Sequence, residues 1–232
     1  LRYDRFDVFA GKGRPFITNT DSSDSKLVPR AGVVYKLTPE VSLYGSYSES
    51  FKPNSSIATQ IDSLPPEQGK SWEVGSKVEL VNGVTGTLAL FDIAKRNVMV
   101  NELVNGETVT RTAGQVRSQG VELDVAGQLT DNLSAIATYA YTDARVTEDP
   151  DNKGNQMTNV ARNSASVFLT QALGSTGWQG GDDLRIGAGA RYVGRRAGDA
   201  ANSFTLDDYT VADAFISFFL PINNYRVKWQ LN

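Results

Sequence analysis

The chain has 232 residues, 23 basic and 26 acidic, for a net charge of −3, and contains neither cysteine nor histidine. That composition removes thiol nucleophiles, disulfides, imidazole bases and the usual zinc ligands, and it supplies no basic field for nucleic acid. No stretch approaches the ~18 uncharged apolar residues of a membrane helix, whereas a β-barrel needs apolar residues on only one face of each strand.

The opening residues, LRYDRFDVFA (1–10), already read as a strand. They lack a basic segment followed by an apolar one, so an export signal is expected outside these residues. Residues 11–26 read as a long polar loop. Its Gly11-Lys12-Gly13 lacks the spacing and context of a phosphate loop. A strand over 27–37, a turn at Thr38-Pro39-Glu40 and a strand over 41–50 follow, then a long loop over 51–68. In 71–80, Trp72, Val74, Val78 and Leu80 alternate with Glu73, Lys77 and Glu79, which makes one apolar and one polar stripe on a single strand. Asn82-Gly83 is a hairpin signal because both residues tolerate positive φ.

After a strand over 84–98 comes a loop over 100–114, with 106–120 read as the loop-proximal part of the strand through 121–129. There Val121, Leu123, Val125 and Leu129 oppose Glu122, Asp124 and Gln128. Thr130-Asp131-Asn132 turns the chain into a strand over 133–146, and a long loop covers 147–161. Strands over 162–173, 184–193, 208–219 and 225–232 complete the pattern, joined by Gly174–Asp183, a long loop over 194–207, and Pro221 to Asn224. The last strand again alternates, with Tyr225, Val227, Trp229 and Leu231 against Arg226, Lys228, Gln230 and Asn232.

These eleven strands mostly run to ~10–14 residues, against ~5–6 in soluble sheets and ~9–11 for a tilted membrane-crossing strand. Short turns alternate with long loops, the asymmetry of an outer-membrane barrel with its long loops outside the cell. The expected fold is therefore all-β, a transmembrane antiparallel β-barrel. Aromatics such as Trp72, Tyr139, Tyr141 and Tyr209 fall near strand ends, where interface girdles sit. A water-soluble sandwich is the rival fold; it would place the charged stripes in bulk water.

No catalytic constellation emerges, and an enzyme is not expected. Glu122 and Asp124, at i and i+2, imitate a two-carboxylate site but fit a wet lumen stripe. Asp182-Asp183 and Asp207-Asp208 read as turn and strand-edge acids. Asp149, Asp151 and Asn152, with Gly154, suggest a calcium loop but lack its remaining ligand spacing and closing Glu, so no metal site is expected.

The segments YGSYSESFKP (44–53), PEQGKSWEVGSKVEL (66–80), GTLALFDIAKRNV (86–98) and RSQGVELDVAGQLTDNLSAIATYAYTDA (117–144) together resemble the TonB-dependent siderophore receptors. NVARNSASVFLTQ (159–171) and GARYVGRRAGDAANSFTLDDYTVADAFISF (189–218) extend the resemblance over most of residues 27–232. It implies about eleven strands of a 22-stranded barrel, residues 1–232 being one part of that barrel domain truncated at both ends. The plug domain and the energy-coupling box would lie elsewhere. It further implies energy-coupled uptake of a ferric siderophore, with iron carried in the chelate and no cofactor held by side chains. Implied partners are outer-membrane lipid and lipopolysaccharide, and the TonB-ExbB-ExbD complex through the absent N-terminal part. A monomeric barrel in the bacterial outer membrane is implied, and no nucleic acid.

Residues of suitable chemistry near the loop ends are Tyr47, Phe51, Arg111, Gln115, Arg117, Tyr192, Arg195, Arg196 and Phe204. Aromatics offer flat contact area, and Arg or Gln give oriented hydrogen bonds to chelate oxygens. Girdle packing, loop packing and ion pairing are the alternative roles for each, and Arg195-Arg196 could meet lipopolysaccharide phosphates instead. The rival function is a passive porin without a plug.

Overall fold

A computed structural model describes residues 1–56, 59–60, 64–80, 83–104, 107–149, 151–177 and 180–232. These residues contain no α-helix. Their strands are β1 (Arg2–Lys12), β2 (Ile17–Val28), β3 (Arg30–Lys36), β4 (Val41–Lys52), β5 (Thr59–Gln60), β6 (Glu67–Glu79), β7 (Thr85–Val104) and β8 (Glu107–Thr130). β9 (Leu133–Glu148), β10 (Asn163–Gly174), β11 (Asp182–Val193), β12 (Arg196–Ala197), β13 (Thr205–Leu206), β14 (Tyr209–Ile222) and β15 (Tyr225–Leu231) follow. One antiparallel meander runs β3-β4-β6-β7-β8-β9-β10-β11-β14-β15, so nearly every long strand pairs with its neighbours in sequence.

If β2 and β3 are counted as one run interrupted at Pro29, the eleven long strands expected from the alternation are present. Pro29 has no N–H to give to the ladder, and the run expected over 27–37 breaks there. Its carbonyl still accepts the Glu49 N–H at 3.0 Å. Two expected loops are instead strands. Residues 17–28 pair with β1 from Arg2↔Val28 to Lys12↔Ile17, leaving only 13–16 as a turn. Polar serines and aspartates hid that strand, because a hairpin standing in water needs no apolar stripe. Residues 100–104 and 107–114 likewise continue the β7–β8 ladder to Val104↔Glu107. β6 stops pairing with β7 at Arg96, so the hairpin rises about 25 Å beyond its neighbour at ~3.3 Å per residue.

The short connections at 37–40, 131–132 and 223–224 share one end of the sheet, and the long ones share the other. Asn82 lies outside the described residues; Gly83 beside it has φ +73°, as the hairpin signal requires.

Register aligns chemistry into faces. Val74, Leu90, Val121 and Tyr141 lie in one cross-strand row, and Ser76, Leu88, Leu123, Tyr139 and Ala165 in the next. On the opposite face Glu73 meets Phe91, while Asp124 meets Thr87 and Thr138. The apolar face is uncovered: Val74 keeps 53% of its surface exposed, Leu123 41% and Val167 46%. Leaving such side chains in water forfeits ~1.5–3 kcal/mol each, so this face meets lipid and the charged face meets a hydrated interior.

Candidate functional site at the loop end

Two side-chain networks tie the long loops into a rim. The first holds residues 53–56 and 64–66. Asn54, 3% exposed, donates from Nδ2 to the carbonyls of Pro65 (2.8 Å) and Asn97 (2.6 Å). Asn97 sits at φ +59°, a left-handed conformation that Asn tolerates, and its own Nδ2 donates to Pro66 O at 2.9 Å. Ser56 Oγ lies 2.8 Å from Thr110 Oγ1, and Thr20 Oγ1 donates to Ser56 O at 3.1 Å. β5 adds in parallel beside Val109 and Thr110. The segment is thereby stitched to both the β1–β2 and β7–β8 hairpins.

The second network joins residues 149–162 to residues 194–208. Gln156 N–H donates to Asn202 Oδ1 (2.8 Å), and Asn202 Nδ2 returns to Gln156 O (2.9 Å). Asn155 Nδ2 donates to Ala200 O (2.9 Å), and Asn159 N–H to Ala197 O (2.9 Å). Asn159 and Asn202 both have positive φ, 61° and 55°. Each lets the chain turn while its amide bridges to the neighbouring loop. These asparagines carry the rim, and sequence reasoning missed them. The available signal was an Asn isolated in a polar loop, a residue suited to left-handed backbone.

Asp149 anchors the second network. Its carboxylate is buried and accepts from Arg111 Nη1 at 2.7 Å and from the backbone N–H groups of Asn152 (2.9 Å) and Asp151 (3.1 Å). The Arg111 guanidinium, with those N–H groups, holds the Asp149 carboxyl at about 2 against its ordinary 3.8. This carboxylate is occupied structurally, and the described residues contain no cluster of three metal-binding side chains.

Because the folded loop favours the charged form, the pair's contribution is full above about pH 4 and is lost as pH falls towards 2. That contribution is roughly 2 kcal/mol. Pepsin cleavage within 149–162, normalised to an unfolded control, should rise between pH 4 and pH 2 in the full-length protein. In Asp149→Asn it should be high at both. Equal, low cleavage of the unmodified protein across that range would refute this anchoring role.

The nine sequence candidates do not converge. Arg111, Gln115 and loop 149–162 meet on one side, where Thr147 Oγ1 donates to Gln115 Oε1 at 3.3 Å. Arg195, Arg196 and Phe204 gather in 194–208: Arg196 Nε donates to Asn159 Oδ1 at 2.8 Å with its guanidinium 5.1 Å from the Tyr209 ring, and Arg195 reaches Asp208 at 3.4 Å. Phe204 lies over Gly198 and remains half-exposed.

The remaining candidates lie elsewhere. Tyr47 packs 4.4 Å from Trp72 on the apolar face, its hydroxyl donating to Glu49 at 2.6 Å. Tyr192 lies in the same face, opposite Ala165 and Thr210. Arg117 also points outward, its Nε donating to Asp92 at 2.9 Å. Phe51 is buried against Phe6, ring centroids 5.3 Å apart. Alternation places Tyr47, Arg117 and Tyr192 away from the interior, which a list of suitable residue types could not resolve.

The family model for the TonB dependent receptor-like β-barrel matches residues 1–232. An uncharacterized TonB-dependent receptor of Haemophilus influenzae is 38% identical over the whole chain and 69% of its own length. The metal-pseudopaline receptor CntO of Pseudomonas aeruginosa is 38% identical over 96% of this chain, which spans 32% of that protein. Among solved structures, the ferric preacinetobactin receptor BauA of Acinetobacter baumannii superposes at TM-score 0.72 with 22% identity, over 91% of this chain and 32% of that one. At that identity it shows the fold alone. The chain belongs to the TonB-dependent receptor β-barrel family and is part of a bacterial outer-membrane protein.

Proposed function

We propose that the full-length protein takes up an iron–siderophore complex across the outer membrane, energised through TonB-ExbB-ExbD, and is not an enzyme. Residues 1–232 contribute part of the barrel domain in this reading. Among the described residues β3 pairs only with β4 and β15 only with β14. Lipid tolerates no open sheet edge, so further strands close the wall. The plug that would fill the lumen lies outside this chain.

The observation that carries the reading is the rim: two long-loop networks, bonded side chain to backbone, stand at one end of a wall whose interior face carries Glu73, Glu122, Asp124 and, opposite Ser166, Arg191. A fixed polar rim over a wet lumen suits capture of a compact, oxygen-rich chelate, and two of the proteins named above are by name a metal-pseudopaline receptor and a ferric preacinetobactin receptor. Arg195 and Phe204 are the exposed candidates on that rim. The chelate supplies all ligands to the iron, and the protein supplies hydrogen bonds and flat contact area.

The full-length gene, expressed in a strain lacking its own siderophore receptors, should restore uptake of one radiolabelled chelate among hydroxamate, catecholate, mixed and metal-pseudopaline probes. Uptake should vanish on deletion of TonB. TonB-independent passage would make the protein a passive porin, and absence of binding to every chelate would point to another cargo.

A further inference from the structure

We propose that the inward face of β10, β11, β14 and β15 is a descending track of cations and aromatic rings for a chelate of net negative charge. This rests on the uptake reading above and adds to it the charge of the cargo and the side of the wall it passes. Register sets the geometry. The inward row of Asp124, Thr138 and Ser166 continues to Arg191 and Val211, and every second residue of β14 beyond Val211 faces the same way. From Val211 to Pro221 the successive inward rows carry Arg191, Phe168, Phe215, Arg185, Lys228 and Arg226. At ~3.3 Å per residue that run descends ~33 Å, about the height of the hydrocarbon layer.

The two rings lie close against the wall. Phe168 and Phe215 stack with centroids 5.9 Å apart, and a Cβ on Gly187 would meet both of them. They make a flat apolar step between Arg191 and Arg185, suited to the less polar faces of a chelate. At the turn end Asp183 holds Arg185 at 2.8 Å and Asp182 holds Arg226 at 3.0 Å. Arg191 and Lys228 are exposed and, among the described residues, have neither a hydrogen bond nor an ion pair. Asp213, level with Phe168, pairs with neither of them. Both cations are therefore open to charge-assisted hydrogen bonds from passing carboxylate or catecholate oxygens.

The wall across β6, β7 and β8 has the opposite character. Its successive inward rows hold Glu73, Glu122, Asp124 and Glu79, and the one cation among them, Lys77, lies over the Tyr44 ring at 5.6 Å. An anion in the lumen is repelled by that side and drawn to the Arg191 side. The track also begins where the rim ends. Residues 194–208, which carry the exposed Arg195 and Phe204, leave β11 just beyond Arg191. A captured anion passes from rim to wall there without meeting the carboxylate rows.

The test uses the full-length receptor in a strain lacking its own siderophore receptors. Radiolabelled ferric tris-catecholate is the anionic probe and ferric trihydroxamate the uncharged one, and folding is checked by heat-modifiable gel mobility. The unmodified receptor should transport the anionic probe faster. Arg191→Glu with Lys228→Glu should slow that transport about tenfold at unchanged affinity, and Arg191→Lys with Lys228→Arg should transport normally. A photoreactive benzophenone side chain in place of Phe215 should label the anionic probe when TonB is present, and one in place of Phe91 should not. Undiminished transport by the folded charge-reversed variant would overturn the proposal. So would labelling at 91 instead of 215, faster transport of the uncharged probe, or equal slowing of both probes, which would mark cations that hold the plug. A loss of affinity in place of rate would assign Arg191 and Lys228 to capture and end the track. Transport of neither probe by the unmodified receptor would sink the uptake reading, and the track with it.

Discussion

Leu123→Arg in the full-length receptor should destabilise the folded barrel by about 2–4 kcal/mol, whereas Asp124→Asn should change it by less than about 1 kcal/mol. The two positions are adjacent in β8 and differ only in the face they take. Leu123 stands between Leu88 and Tyr139, and Asp124 between Thr87 and Thr138. In a water-soluble sheet with the apolar face packed inside, an Arg at 123 would also be costly. The discriminating measurement is therefore the medium. Urea unfolding in lipid vesicles should show the full penalty, and in vesicles of shorter acyl chains it should shrink, because a thinner bilayer brings water closer to the guanidinium. A penalty indifferent to bilayer thickness would mean that protein, not lipid, covers the Val121–Leu123–Val125 stripe.

That stripe is legible in the sequence itself. Strict alternation through Val121, Glu122, Leu123, Asp124 and Val125 fixes which side chains share a face, and strand length with the alternation of turns and loops selects a barrel over a sandwich. What stayed hidden obeys other rules. β2 carries Thr20, Asp21, Ser22, Ser23 and Asp24, and in a hairpin beyond the membrane neither face needs to be apolar. The same holds for the upper part of β7 and β8. Propensity and hydrophobic pattern report burial, and these segments are held by ladder hydrogen bonds and by their neighbours.

The candidate site was less legible than the fold, for a related reason. Residue type can suggest ligand contact, but facing is set by register, and register is a property of two strands at once. Arg117 and Tyr192 have suitable chemistry and stand on the outward face. Asn54, Asn159 and Asn202 bind the rim through amides that no periodic pattern marks. The Asp149–Arg111 pair joins residues 38 apart in sequence, and that contact depends on loop 149–162 folding back over β8.

Gly120→Ala should be among the most damaging single-methyl additions in the barrel, costing about 3 kcal/mol, while Gly86→Ala should be neutral or slightly stabilising. A Cβ at 120 would fall onto the Tyr141 carbonyl oxygen and 2.8 Å from Phe91 Cζ, so the β8–β9 ladder and the Phe91 ring would both have to move. Phe91 lies on the interior face opposite Gly120, and its ring occupies the space the missing side chain leaves. The arrangement recurs where Phe168 and Phe215, stacked 5.9 Å apart, cover Gly187. At Gly86 the nearest atom to a built Cβ is the Asp124 carbonyl oxygen at 3.9 Å, an ordinary contact. The two variants add the same methyl to neighbouring strands and remove the same backbone freedom from the unfolded chain, so their difference isolates close approach. Urea midpoints of the full-length receptor in vesicles measure that difference. Equal midpoints would show that the interior aromatics do not use the glycines as seats, and the β8–β9 pairing would then tolerate a side chain at 120.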